Sequence, residues 1–253
     1  MSTRRVRSRA GRQVLLLHGL GGSAEDWTEV VASLPKGLAA LALDFPGSGK
    51  NVRVHDGWDP ASLARWVERE MDELDLATAV VAGHSLGGRV AAELATRAPE
   101  RVAALALVSP LGTVPYGFAA TLKWKAMSRA ALVAATPAGA LASALGYGFA
   151  VEGPGKAGFV ARGMAARTGP NAAVALRALE RSVDGLLAAP PLSRLLAGTA
   201  APLLLLAGSE DPLAPPRDVA SVRAARPDAA YVELPGVGHY APLEAPKDVA
   251  KRV

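Results

Sequence analysis

The chain contains no cysteine. That removes disulfides, thiolate-held metals and a cysteine nucleophile together, and it is compatible with a cytoplasmic setting. Histidine is scarce too: His18, His55, His84 and His239 are the four present. None has a second His or a Glu at helical ligand spacing, so no metal site is expected. No apolar run approaches the roughly 20 residues needed to cross a bilayer, because Gly, Pro or charge interrupts each one. Acidic residues are missing before Glu25, whereas Arg4, Arg5, Arg7, Arg9 and Arg12 all precede it. The net charge of +5 therefore sits in a basic N-terminal stretch, and a nucleic-acid-binding face on the folded body is not expected. That stretch has a twin-arginine look, but its apolar run is Val14 to Leu17 alone, with no small-residue cleavage site behind it.

What is present is ordinary for a folded chain: half the residues are hydrophobic and a fifth charged, which excludes disorder. At 253 residues one α/β core with an insertion is expected. Short apolar runs recur at Val14–Leu17, Leu38–Leu43, Ala77–Ala82, Arg101–Val108, Leu203–Ala207 and Tyr231–Leu234. Between them stand helical patterns. Ser23 and Asp26 form a capping box ahead of Trp27, Val30, Val31 and Leu34 at helical spacing. Asp59-Pro60 offers a cap and a first-turn proline to a helix carrying Leu63, Trp66, Val67, Met71 and Leu74. GRVAAELATRAPE and RDVASVRAARP read as two more helices. Strands apolar throughout, alternating with helices, point to a parallel sheet covered on both faces. In such sheets ligands bind beyond the carboxyl ends of the strands.

From residue 111 to 190 the rhythm changes to Ala- and Gly-rich helical runs, TLKWKAMSRAALVAA and NAAVALRALERSVDGLL, the second with Leu176, Leu179, Val183, Leu186 and Leu187 on one face. This reads as a helical lid inserted into a core made of 13–110 and 191–253, with 1–12 as a basic tail or a shortened first strand. The lid holds eight basic residues against three acidic ones. A cationic lid over the strand ends would draw in an anionic substrate; the plainer reading is charge facing solvent.

The chemistry concentrates after the strands. Gly83-His84-Ser85-Leu86-Gly87 fits a nucleophile elbow, in which a tight strand-to-helix turn exposes the serine hydroxyl. A serine is nearly inert without a base and an acid to orient that base. Asp211 follows one apolar run in GSEDPLAP, with Glu210 the weaker alternative, and His239 follows the last in LPGVGHYAPLEAP. Donors for a developing oxyanion are expected from the Leu86 NH and, in the HGLGG loop, the Leu20 NH, each worth about 3 kcal/mol of barrier. His18 and Gly19 are expected to brace that loop, and His84 to pack or hydrogen-bond beside the site. His55 is expected to be exposed, Trp27, Trp66 and Trp124 to serve core or lid packing, and Asp44 to be structural.

With HGLGG, DFPGSG, GHSLGG, GSEDPLAP and GVGHYAPLEAP in this order, the chain resembles the α/β-hydrolase fold superfamily over nearly its whole length. The resemblance implies an eight-stranded, mostly parallel sheet with a helical lid, a triad of Ser85, His239 and Asp211, and no cofactor. It departs from the family in having only about a dozen residues ahead of Val14 and a brief last helix, which leaves the sheet edge and a homodimer open. The expected function is hydrolysis of a carboxylic ester or thioester through an acyl-enzyme, with a small-molecule acyl substrate as the partner. The alternatives are carbon-carbon bond hydrolysis of ring-fission products, acyl transfer or perhydrolysis. A receptor that keeps the triad with little turnover is the reading from another class.

Overall fold

The apolar runs become strands, and their side chains explain why the sheet is buried on both sides. The computed structural model describes residues 4–6, 11–130 and 146–253. The strands are β1 (Arg4–Val6), β2 (Arg12–Leu17), β3 (Leu38–Leu43), β4 (Ala79–His84), β5 (Val102–Val108), β6 (Leu203–Gly208) and β7 (Ala230–Leu234). They form one sheet in the order β1-β3-β2-β4-β5-β6-β7. Every neighbouring pair is parallel except β1 with β3.

The helices are α1 (Thr28–Ser33), α2 (Pro60–Glu73), α3 (Leu86–Arg97), α4 (Phe118–Ala130), α5 (Pro154–Thr168), α6 (Ala172–Ala188), α7 (Leu192–Leu196), α8 (Pro216–Ala220), α9 (Ala241–Glu244) and α10 (Pro246–Ala250). Successive strand residues face opposite sides. Leu15, Leu17, Val81, Leu105, Leu107 and Leu205 pack with α2, α3 and α7 on one face. Val14, Leu16, Val80, Ala82, Val108 and Leu206 pack with α1 and α10 on the other. Each such aliphatic side chain contributes about 1.5–3 kcal/mol when taken fully out of water.

Local signals set the helix starts. Ser23 and Asp26 make the reciprocal capping box, and Asp59 accepts from the Ser62 NH at 3.0 Å with Pro60 behind it. The first helical pattern divides into a 3-10 turn over Ala24–Trp27 followed by α1. RDVASVRAARP divides likewise into α8 and a 3-10 turn at Ser221–Ala224.

Two expectations need correction. Among the described residues the sheet has seven strands rather than eight, because β1 alone stands ahead of β2 and pairs antiparallel with β3, Arg4 opposite Ala42. The strand expected at Ala77–Ala82 runs from Ala79 to His84, since its ladder with β5 continues to the His84–Val108 pair. Leu176, Leu179 and Leu187 are half-buried, while Val183 and Leu186 are fully buried. Of the run TLKWKAMSRAALVAA, the part from residue 131 lies outside the described residues, as do residues 1–3 and 7–10 of the basic stretch.

No helix among the described residues is long and apolar enough to cross a membrane. After β2 the chain moves to β3 on one side, and later to β4 on the other. A crevice therefore opens above the carboxyl ends of β2 and β4, the place where parallel sheets bind ligands.

Candidate active site

Ser85 sits at that crevice with φ 56° and ψ −117°, a backbone conformation costing a non-glycine residue on the order of 1–3 kcal/mol. The surroundings hold it there. Its NH donates to the Val108 carbonyl at 2.9 Å, and its carbonyl accepts from the Arg89 NH at 3.2 Å and the Leu111 NH at 3.3 Å. The turn is so tight that a Cβ on Gly83 would enter the Gly87 carbonyl, and one on Gly87 would enter the Leu17 and His18 carbonyls. Those two glycines are what let β4 turn directly into α3 against the end of β2.

Three side chains distant in sequence meet at this point. Nε2 of His239 lies 2.8 Å from Ser85 Oγ. Nδ1 of His239 lies 2.9 Å from Asp211 Oδ2 and 3.1 Å from Oδ1. All three residues are buried. Asp211 follows β6, and its Oδ1 also accepts from the Leu213 and Ala214 NH groups, both at 2.8 Å. Burial by itself would raise this carboxyl, but the His239 imidazole and these donors hold it below the usual 3.8. It is therefore a carboxylate that only accepts, so Nδ1 of His239 carries the proton and Nε2 is left to accept from the serine hydroxyl. Glu210, the alternative acid, is exposed.

The neighbouring histidines are fixed by hydrogen bonds. His84 Nε2 donates to the His239 carbonyl at 2.8 Å, and burial, followed by the nearby His239, pushes its pKa down to about 3. It is a neutral bracket behind the His239 loop. His18 Nε2 accepts from the Phe45 NH at 3.0 Å, which leaves Nδ1–H to donate to the Gly19 carbonyl at 2.8 Å. Gly19 in turn backs onto the His84 ring and the Ser85 side chain. Leu20 and Leu86 line the same cavity as Ser85, and neither amide donates within the loops and turns of the described residues. Asp44 pins the loop after β3, accepting from the Ala24 NH at 2.7 Å and the Lys50 NH at 2.9 Å.

Two side-chain placements differ from expectation. His55 is half-buried, with Nε2 3.1 Å from Arg69, rather than free in solvent. Trp124 lines the cavity above Ser85 instead of serving packing alone, whereas Trp27 and Trp66 are core residues.

Further residues of the site had no role legible in the sequence, although Tyr240 and Glu244 lie within GVGHYAPLEAP. Glu244 gathers the Ala150, Val151, Gly238 and Tyr240 amides on one carboxylate, at 2.9–3.2 Å. It knits the His239 loop to the segment ahead of α5, a join reinforced by the His239 NH on the Gly148 carbonyl at 2.6 Å. Tyr240 stacks on Phe149 with ring centroids 4.1 Å apart. On the other side of the crevice, Arg162 of α5 donates to Asp26 at 2.6 Å. Burial raises the Asp26 carboxyl, although Arg162 and the Ser23 NH pull it back.

The cavity over Ser85 measures about 440 Å³, within the range of small-molecule sites. Phe45, Trp58, Trp124, Phe159, Leu179 and Val183 give it apolar walls. Among the described residues no group of three or more His, Asp or Glu is placed to hold a metal ion.

A buried serine, histidine and carboxylate stand in a hydrogen-bonded row beyond a parallel sheet, and comparison with known proteins agrees in fold. Residues 13–246 match the model of the alpha/beta hydrolase fold family, and the chain belongs to that family. Over 99 residues it is 44% identical to the dihydrolipoyllysine-residue acetyltransferase component of an acetoin cleaving system from Cupriavidus necator. That match covers 39% of this chain and 26% of the relative, so the chain spans about a quarter of that relative's length. A solved hydrolase from Pseudomonas aeruginosa superposes with a TM-score of 0.84 at 24% identity, over 98% of this chain and 91% of that one. An enol-lactonase from Burkholderia xenovorans gives a TM-score of 0.79 at 24% identity, over 98% and 93%. At these identities the likeness to solved structures is one of fold.

Proposed function

We propose that the protein is a serine hydrolase that cleaves carboxylic esters or thioesters through an acyl-enzyme. Ser85 Oγ attacks the substrate carbonyl while His239 Nε2 takes its proton. Asp211 stays ionised and steadies the imidazolium that forms. The Leu20 and Leu86 NH groups face the oxygen on which negative charge develops. The tetrahedral intermediate collapses as His239 returns the proton to the departing alcohol or thiol, leaving the acyl group on Ser85. Water, deprotonated by the same imidazole, then attacks the ester, and release of the acid restores the serine. Helices α4, α5 and α6 act as a lid, and the apolar walls they contribute suit a small to medium acyl chain.

The observation that carries this reading is the 2.8 Å approach of His239 Nε2 to the Ser85 hydroxyl, with Asp211 2.9 Å behind the ring. It is supported by membership of a family whose members include hydrolases. The experiment is release of p-nitrophenol from p-nitrophenyl esters of two to ten acyl carbons, with Ser85→Ala alongside. Turnover that Ser85→Ala abolishes without loss of fold supports the proposal. Turnover that survives in the alanine variant, or none for any ester or thioester, contradicts it.

A further inference from the structure

The wall of the cavity that holds Ser85 is almost free of charge. Among its described residues, which include neither Asp, Glu nor Lys, Arg167 is the one side chain with a permanent charge. It lies in the last turn of α5 and is half-buried. Its Nη1 is fully buried with no hydrogen-bond partner. Burial depresses its pKa, with no acid opposing the effect. The residues outside the description cannot supply a carboxylate, because 1–3, 7–10 and 131–145 contain no Asp or Glu.

The other arginines near the site are matched. Arg162, five residues earlier on the same helix, is paired with Asp26. Arg89, fully buried, holds Glu93 at 2.8 Å and also donates to the Pro190 carbonyl. A guanidinium nitrogen withdrawn from water into apolar surroundings is unfavourable unless an acceptor meets it. Among the described residues acceptors meet Arg89 and Arg162, and none meets Nη1 of Arg167.

The wall next to Arg167 has the same electrical sign. Gly169, Pro170 and Asn171 line the cavity and lead into α6, so the amino end of a 17-residue helix, the positive end of its dipole, borders the cavity, although its Ala172 and Val174 amides donate to the Gly169 and Asn171 carbonyls. Asn171, at the cap position, makes no side-chain cap bond there. One cation and one helix end match one negative charge. The planar guanidinium fork suits a carboxylate.

We propose that the cavity takes an acyl substrate whose far end is a carboxylate, that is, a monoester or monothioester of a dicarboxylic acid, and that Arg167 binds that carboxylate. This rests on the hydrolase reading above and narrows its substrate class. Arg167 is a specificity residue that touches the substrate away from the reacting carbonyl. The bound carboxylate meets the guanidinium where Arg167 borders the cavity, and the apolar walls between it and Ser85 hold the methylene chain.

The test compares mono-p-nitrophenyl adipate with p-nitrophenyl hexanoate, which have acyl chains of equal length and differ in the terminal charge. The protein is expected to prefer the adipate ester in kcat/KM by about 10-fold or more, the size of one hydrogen bond to a charged group. Arg167→Gln is expected to lose about 10- to 100-fold on the adipate ester, and Arg167→Lys to recover part of it. The hexanoate ester should change by less than about threefold in both variants, a control for folding. Equal kcat/KM for the two esters, or equal losses on both in Arg167→Gln, overturns the proposal while leaving the hydrolase reading intact. If neither ester is turned over, calorimetry with free adipate decides the site by itself. Binding that Arg167→Gln abolishes supports it, and no binding, or binding that the variant retains, overturns it.

Discussion

Replacing His84 by Gln should change how the protein's stability depends on pH. In the fold the His84 pKa falls from 6.5 to about 3, burial being the largest cause, while its Nε2 donates to the His239 carbonyl. A glutamine amide keeps a donor for that carbonyl and does not titrate. The unfolded chain binds a proton at His84 below pH 6.5 and the folded chain does not. The contribution of neutral His84 is therefore complete above pH 6.5 and is lost as pH falls toward 3. Well below pH 6.5 each unit costs about 1.4 kcal/mol, so between pH 7.5 and 4.5 the loss from this group is about 2.7 kcal/mol. Asp26 acts in the opposite direction. Its raised carboxyl contributes more as pH falls, but it is common to both proteins and cancels in the difference. The depressed Asp211 carboxyl contributes above pH 3.8 and is lost only as pH falls below that value, outside the window. Urea unfolding at pH 7.5, 6.5, 5.5 and 4.5 is the assay. The parent should lose about 2.7 kcal/mol more than His84→Gln between pH 7.5 and 4.5. Parallel curves would show that His84 is protonated in the fold, and the reasoning about the bracket behind His239 would fail.

Two further outcomes follow from the same geometry. Asp211→Asn should preserve the fold and lower kcat on p-nitrophenyl esters by about 10⁴-fold, because an amide NH2 turned toward Nδ1 favours the tautomer whose Nε2 no longer accepts from Ser85; a loss of less than tenfold in steady-state kinetics would contradict the role given to the carboxylate. Gly87→Ala should destabilise the chain by more than about 2 kcal/mol in urea titration, since the added methyl enters the Leu17 and His18 carbonyls, and a variant as stable as the parent would mean that the elbow has room to open.

The meeting of Ser85, Asp211 and His239 at one rim was legible in the sequence for one physical reason. Each follows an apolar run that becomes a parallel strand, and the carboxyl ends of such strands share one rim. The capping box at Ser23 and Asp26 and the Asp59-Pro60 helix start were legible because they are local. What could not be read is what long separations bring together. Glu244 reaches Ala150 across 94 residues and Arg162 reaches Asp26 across 136, and no periodicity links such pairs. Nothing local marks Trp58, just ahead of the Asp59-Pro60 helix start, as cavity wall. Its place in the cavity wall depends on the Nε1 bond to the Pro46 carbonyl at 2.9 Å, which folds its loop back over the crevice. The end of β4 was misplaced by two residues because Gly83 and His84 read as turn, although His84 still pairs with Val108. Among the arginines of residues 111–190, sequence alone did not separate Arg162, matched by Asp26, from Arg167, whose Nη1 has no partner among the described residues.

The central claim is that His239 and Asp211 make an attacking group of one serine hydroxyl. Its most direct measurement is reaction of the folded protein with a fluorophosphonate, followed by peptide mass spectrometry. The account predicts one phosphonyl group per chain, attached to Ser85, and labelling slowed by orders of magnitude in His239→Ala. Absence of labelling in folded protein, or a label on a different residue, would contradict it.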